Sequence, residues 1–372
     1  MRAHLTTVHA RTDSRIFVKE VQTLRSVLSE PVVLVVADGK GGSGSNGDGV
    51  IDLGVLPGGR AAKVLQGTMR AFRTLRALRV RSVHFHDPEL IPLGLLLRLL
   101  GHQVIYDAHE DLPNQILSKH WIPRLLRYPT AWAMAAAEWI AGRAFQAVVA
   151  ATPTIAARFP ADKRVLVQNF PIPDELLVGT PRPYDARPSA FVYLGGVAAI
   201  RGAHEMVDAV ARLRHVPGLR LHLAGRPDRT GLLDDLARRP GWDLVTYHGV
   251  LARREVAGLL SLARAGLVPL HALRSYMDAQ PVKMFEYMAA GLPVIASDFP
   301  LWREIIAGAD CGILVDPYDP AAIAAAMEWV LSNPAAAEAM GQRGRQAILE
   351  RYSWQGEGAA LVALYQRLGA EN

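Results

Sequence analysis

Cysteine is all but absent from this chain. Cys311 is the one thiol in 372 residues, so no internal disulfide can brace the fold, and a reducing compartment suits it. Aromatic residues are few, at 7%, and no apolar run reaches the ~20 residues that a membrane-spanning helix needs. The two longest, LIPLGLLLRLLG (90–101) and TAWAMAAAEWIAG (130–142), are interrupted by Arg98 and Glu138. The opening MRAHLTTVHARTD is polar and basic without an apolar core, which predicts that no secretory signal is present. Blocks of like charge are missing too. The net charge is +6, yet the arginines are scattered and no basic, aromatic-interleaved motif of a nucleic-acid reader occurs. What remains is a cytoplasmic globular chain, 50% apolar and 20% charged, too long for a single compact core and suited to two domains.

The second half is regular. FVYLG, LRLHLAG, DLVTYHG, AGLVPL, PVIAS and CGILV are short apolar runs separated by segments with helical patterns, such as RGAHEMVDAVARL and VKMFEYMAA. Short strands alternating with helices predict a parallel, doubly wound α/β sheet, with ligands beyond the carboxyl ends of its strands. The first half is of the same kind: PVVLVVA, RVRSVHFH, HQVIYDAHE and FQAVVAATP read as strands. Residues 38–49 are a glycine-rich insertion with no assigned structure. The proline-rich stretch 169–189 marks a boundary. The expected division is therefore 1–180 and 181–352, with a C-terminal amphipathic helix in 353–372.

Candidate chemistry is densest in PVKMFEYMAAGLPVIASDFPLWREII, 281–306. Proline at a first helical position sacrifices no hydrogen bond. Lys283 and Glu286, three apart, share a face of the following helix. The helix opening is an anion site, and a carboxylate one turn along suits ribose hydroxyls, so a nucleotide with a diphosphate fits. YLGGVAAIRGAHEMVDAVARL (193–213) is a strand, a glycine turn at Gly195 and Gly196, and a helix; its spacing is not that of a dinucleotide fingerprint. In VHFHDPEL, His84 and His86 lie on one side of a strand end, and YDAHEDLP brings Asp107, His109, Glu110 and Asp111 to the next. Histidines and carboxylates at adjacent strand ends invite a metal, but no later histidine cluster completes a ligand set. For His84 the alternative is a helix cap or a partner for loop carbonyls. Both readings stay open at this stage.

The segment 281–306 resembles the nucleotide-sugar core of GT-B glycosyltransferases, specifically the retaining family 4. The resemblance implies an α/β fold of two Rossmann-like doubly wound domains facing a central cleft, the first on the acceptor side, the second holding a nucleotide-diphosphate sugar. It also implies a C-terminal helix packed back on the first domain. That family has two glutamates eight positions apart; Glu286 matches the second, and Asp278 stands at the first. Two family cations grip the diphosphate; here Gly196 occupies the place of one and Arg201 that of the other, with Gly195 and Gly196 amides assisting. Gly249 and Val250 match the loop whose backbone reads the base. His109 matches a cleft histidine, with His86, Asp107, Glu110 and Arg15 on the acceptor side and Asp13 and Lys19 near the first helix start. His109, Arg201, Lys283 and Asp278 are thus the expected catalytic set, with no cofactor and no metal required.

HFHDPELIPLG, YDAHED and VHARTDSRIFVKE further resemble a bacterial subgroup of capsule, O-antigen and exopolysaccharide assembly. That implies a hexosyltransferase with a glycan or lipid-linked acceptor. The segment 118–139 joins Lys119, Arg124 and Arg127 to three tryptophans. It predicts peripheral contact with the cytoplasmic face of an inner membrane. Departures at Asp278 and Gly196 leave a sugar-nucleotide epimerase or a binding-only relative as alternatives. A metal-dependent hydrolase centred on His84, His86 and His109 is a third. Base, sugar, acceptor, linkage and oligomeric state do not follow from the residues.

Overall fold

The computed structural model describes residues 1–42, 49–118, 122–177 and 182–370. Two compact units divide it: Met1–Asn169 with Gln355–Asn372, and Phe170–Trp354. Positions 180 and 181 lie outside the described residues, and the crossing falls earlier than that pair. Phe170 and Leu176 are the reason: both are buried in the core of the second unit, so the chain has joined that unit before the proline-rich stretch ends.

The first unit holds seven parallel strands: β1 Arg2–Leu5, β2 Val32–Val36, β3 Val50–Asp52, β4 Ser82–Phe85, β5 Gln103–Ala108, β6 Ala147–Ala150 and β7 Arg164–Leu166, in the order β3-β2-β1-β4-β5-β6-β7. The order reverses between β1 and β4, and side chains just past such a switch point are placed to meet a ligand. Three of these strands escape a reading by apolar runs. Central β1 carries Arg2 and His4, buried because Arg2 Nε donates to Glu30 and His4 is enclosed in the polar network described below. β3 and β7 are three-residue edge strands. The core gathers Leu5, Val83, Phe85, Val104 and Tyr106 from the strands and Ala71, Leu75, Leu97 and Ala141 from the helices. The helix Trp354–Ala370 returns to this unit, where Gln103 Nε2 donates to the Leu368 carbonyl at 2.9 Å.

The second unit holds six parallel strands: β8 Ala190–Leu194, β9 Arg220–Ala224, β10 Val245–Gly249, β11 Ala265–Val268, β12 Val294–Ser297 and β13 Gly312–Val315, in the order β10-β9-β8-β11-β12-β13. Its switch point lies between β8 and β11. The helix Val282–Ala289 crosses from β11 to β12, with Met284, Phe285, Tyr287, Met288 and Ala289 all buried. Tyr287 anchors it to the end of β8, where the Leu194 N–H donates to the phenol oxygen at 2.8 Å.

Candidate functional site

In the second unit the ends of β8, β9 and β10 are drawn together by glycine. Gly195 and Gly225 have φ of 105° and 150°, and a Cβ on Gly225 would stand 2.0 Å from the Gly195 carbonyl oxygen. Only a residue without a side chain allows that approach. The Gly225 N–H donates to the Gly249 carbonyl at 2.6 Å, and the Val197 N–H to the Arg226 carbonyl at 2.9 Å.

Lys283 and Arg201 converge on this turn. A Cβ on Gly195 would meet Lys283 Nζ at 3.1 Å, and one on Gly196 would meet an Arg201 terminal nitrogen at the same distance. Arg201 is steadied by Tyr276, whose hydroxyl oxygen accepts from its Nε at 3.3 Å. Lys283 Nζ lies 3.7 Å from the centre of the Tyr193 ring and is closed off from solvent, with no hydrogen-bond partner among the described residues. Burial, then the charge of Arg201, holds its pKa well below the usual lysine value, while Glu286 pulls weakly the other way. An unpaired cation in such a place is costly unless an anion arrives.

Glu286 is buried and one of its oxygens accepts from Arg253, which also makes a two-pronged pair with Glu175 at 2.9 and 3.0 Å. The carboxylate is thereby fixed in direction before any ligand is present. Pro281 stands outside the helix: its ψ of 119° is extended, and Val282 is the first helical residue. Asp278 does not join the group. It is exposed at the end of the short turn Arg274–Met277 and makes no hydrogen bond or ion pair with Arg201 or Lys283 among the described residues. Gly249 lends its carbonyl to the loop, and Val250 is exposed beside it.

In the first unit, a buried polar chain runs through the switch point. Asp107 accepts from Arg15 at 2.8 and 3.1 Å and from His109 Nε2 at 2.8 Å; His86 Nδ1 lies 3.1 Å from it. Against the opposing effect of burial, the charge of Arg15 and the bonds from His109 and His86 hold Asp107 well below the usual carboxylate range. An ionised Asp107 can only accept, which fixes every tautomer behind it. His86 donates from Nδ1 and must accept at Nε2, from His4 Nδ1 at 3.0 Å. His4 Nε2 then accepts from the Tyr365 hydroxyl at 3.1 Å, and the Tyr365 oxygen accepts from His84 Nδ1 at 3.0 Å. His84 Nε2 is left without a partner among the described residues. Burial depresses the pKa values of His4, His84 and His86, in keeping with neutral rings.

Glu20, His84, His86 and Asp107 present possible metal ligands within 4.8 Å of one another; His109 is not of that group. Arg15 pairs with Asp107 at 2.8 Å and Glu20 at 3.1 Å, so its fixed charge already neutralises the carboxylates a cation would use. Burial and the Asp107 charge push Glu20 well above its ordinary pKa, while the Arg15 charge pulls it the other way. His84 is thus neither a helix cap nor a partner for a loop carbonyl; it serves Tyr365. Asp13 caps the helical turn Ser14–Val21, accepting from the Arg15 and Ile16 amides, and Lys19 donates to Asn169 at 2.7 Å. Glu110 is exposed and outside the chain of bonds. Glu20 ends the stretch VHARTDSRIFVKE without being singled out there, and nothing in residue spacing marked His4, Tyr365, Glu175 or Arg253.

With this geometry in place, comparison with known proteins is informative. Over 98–100% of the chain the fold superposes on solved structures: sucrose-phosphate synthase from Thermosynechococcus elongatus (TM-score 0.78, 20% identity, 99% of that chain), the lipopolysaccharide glycosyltransferase WaaG (0.75, 15%, 99%) and Anabaena HepE in complex with UDP-glucose (0.72, 13%, 99%). The fold is GT-B. Residues 184–347, within the second unit, match the family Glycosyl transferases group 1. Among curated relatives, glycogen synthase of Mycobacterium tuberculosis is 30% identical over 180 residues, 48% of this chain and 42% of that protein. The chain thus spans less than half the length of that relative. The MMP alpha-(1->4)-mannosyltransferase of Mycolicibacterium hassiacum is 24% identical over 81% of this chain and 74% of its own.

Proposed function

We propose that this chain is a retaining glycosyltransferase that moves a hexosyl group from a nucleotide-diphosphate sugar to a glycan or lipid-linked acceptor, in bacterial surface polysaccharide assembly. One observation carries the donor side: Lys283 Nζ is buried beside Arg201 without a hydrogen-bond partner among the described residues. A diphosphate supplies the missing anion. As the sugar–phosphate bond loosens toward an oxocarbenium ion, charge grows on the leaving phosphate, and cations fixed in advance stabilise it there. Glu286, oriented by Arg253, takes the ribose hydroxyls, and the loop at Gly249 and Val250 meets the base.

Gly196 leaves room for one cation fewer than the family pattern, and Arg226 compensates. It follows Gly225, its carbonyl holds the Val197 amide, and its side chain is exposed with no ion pair among the described residues. With three protein cations on the diphosphate, no metal is needed. In the first unit His109 stands on the acceptor side, hydrogen-bonded to Asp107. In a retaining reaction on one sugar face, the departing phosphate receives the acceptor's proton.

The test is calorimetric titration of UDP-, GDP-, ADP- and TDP-sugars, with UDP-glucose first because HepE was solved with it. One of these is expected to bind, and to bind less well to Arg226→Ala. Anomeric NMR of the transfer product checks stereochemistry: an inverted linkage refutes the retaining mechanism, and donor conversion without acceptor supports an epimerase.

A further inference from the structure

The helix Arg124–Ala144 packs inward through Ala131, Glu138, Ala141 and Gly142. Its one acidic residue is thereby hidden: Glu138 pairs with Arg158 and accepts from the Tyr106 hydroxyl at 3.2 Å. The outer side is unusual. Leu125, Tyr128, Trp132, Trp139, Ile140 and Arg143 fall within about a third of a turn of one another at helical spacing, and all are exposed, Leu125 to 90% and Trp132 to 73%. Beside this helix runs Ile91–Leu99, tied to it by Arg98 Nε donating to the Ala144 carbonyl at 3.2 Å. That helix adds Leu99, 86% exposed, with Leu96 and Leu100.

Monomeric soluble surfaces rarely leave two tryptophans and several leucines together in water. The charge around them has one sign. Arg98, Arg124 and Arg143 are exposed, Arg127 is half-buried with its Nε on the Ile122 carbonyl, and neither helix exposes an acidic side chain. Arg143 also stacks on Trp139, its guanidinium 3.8 Å from the ring centre. Apolar and indole side chains ringed by arginine match the boundary between acyl chains and anionic headgroups. A flat protein partner would need acidic residues facing the arginines; an anionic bilayer offers that charge everywhere. No helix among the described residues is long and apolar enough to cross a membrane, so the contact is one of lying on the surface.

We infer that this two-helix face docks the first unit on an anionic lipid bilayer. The docking surface differs from the segment 118–139 read from sequence: it starts at Arg124, extends to Arg143 and includes the end of the neighbouring helix, while Lys119 lies outside the described residues. The inference stands apart from the donor reading, since it requires no nucleotide.

Flotation of the full chain with phosphatidylcholine–phosphatidylglycerol vesicles at low salt is the test, with phosphatidylcholine alone as control. The wild type is expected to float only with the anionic vesicles and to be released by salt. Trp132→Ala/Trp139→Ala should weaken binding by more than about tenfold, and Arg124→Glu and Arg143→Glu by about fivefold each. Thermal midpoints should stay unchanged, because all four side chains are exposed. Absence of flotation, or flotation unaltered in the double tryptophan variant, overturns the inference. So does light scattering that shows a dimer which the tryptophan variant dissociates, since the face would then meet a second copy of this chain.

Discussion

Replacing Lys283 by methionine should stabilise the ligand-free protein while crippling donor binding. In the free chain the Lys283 nitrogen is out of water, beside another cation and without a hydrogen-bond partner among the described residues. Swapping buried charge for a packed apolar side chain is commonly neutral or stabilising by about 1–4 kcal/mol. The ring of Tyr193, 3.7 Å away, offsets about 0.5–2 kcal/mol of the cost, and a thioether can keep part of that contact. A net gain of ~1–2 kcal/mol should raise the melting temperature by roughly 2–8 °C for a unit of this size. The donor loses a charge-assisted contact of about 1.5–3 kcal/mol, some 10- to 150-fold in affinity.

A pH signature goes with it. The folded-state pKa of Lys283 lies below the unfolded value, so between the two the unfolded chain holds more protons and stability rises with pH. Lys283→Met should flatten that rise. Donor binding above the lowered pKa should draw in a proton, visible as a buffer-dependent heat in calorimetry. A variant that melts lower and binds the donor unchanged would refute the reasoning and make Lys283 an ordinary structural residue.

Arg201→Ala should depress turnover at least as much as donor affinity, because leaving-group charge grows toward the transition state, and Arg201→Lys should keep part of the rate; steady-state kinetics over donor concentration separates the two. Glu286→Ala should weaken nucleotide binding by about 1.5–3 kcal/mol on a protein that still folds, and unchanged affinity by titration removes it from the site. In the first unit, Glu20→Gln should alter stability by less than about 1 kcal/mol if Glu20 is already protonated, whereas Asp107→Asn strands Arg15 and should cost about 3–5 kcal/mol. Urea unfolding of the two variants decides that assignment, and similar losses in both would overturn it.

Alternating apolar runs and helical patterns, with glycines at the turns, determined by themselves that both halves are wound parallel sheets. The spacing of Lys283 and Glu286 put them on one helical face, because helix geometry is local. Their surroundings were not local. Glu286 meets Arg253 from 33 positions away, and Arg253 meets Glu175 from 78; only the strand order, which reverses between β8 and β11, brings them together. Tyr365 reaches His84 across 281 positions, so nothing in the terminal helix pattern announced that it holds a hydrogen-bond chain in place. β1 was hidden because its burial rests on polar pairing, not on apolar side chains. Asp278, three residues before Pro281 in sequence, turned out exposed because a short helical turn carries it away. Tryptophans at 132 and 139 read equally well as core or surface; their exposure was decided when the same helix turned Glu138 inward to Arg158. Propensity and periodicity act within a few residues, but burial and charge pairing depend on which distant segments arrive, and those are settled by the tertiary fold.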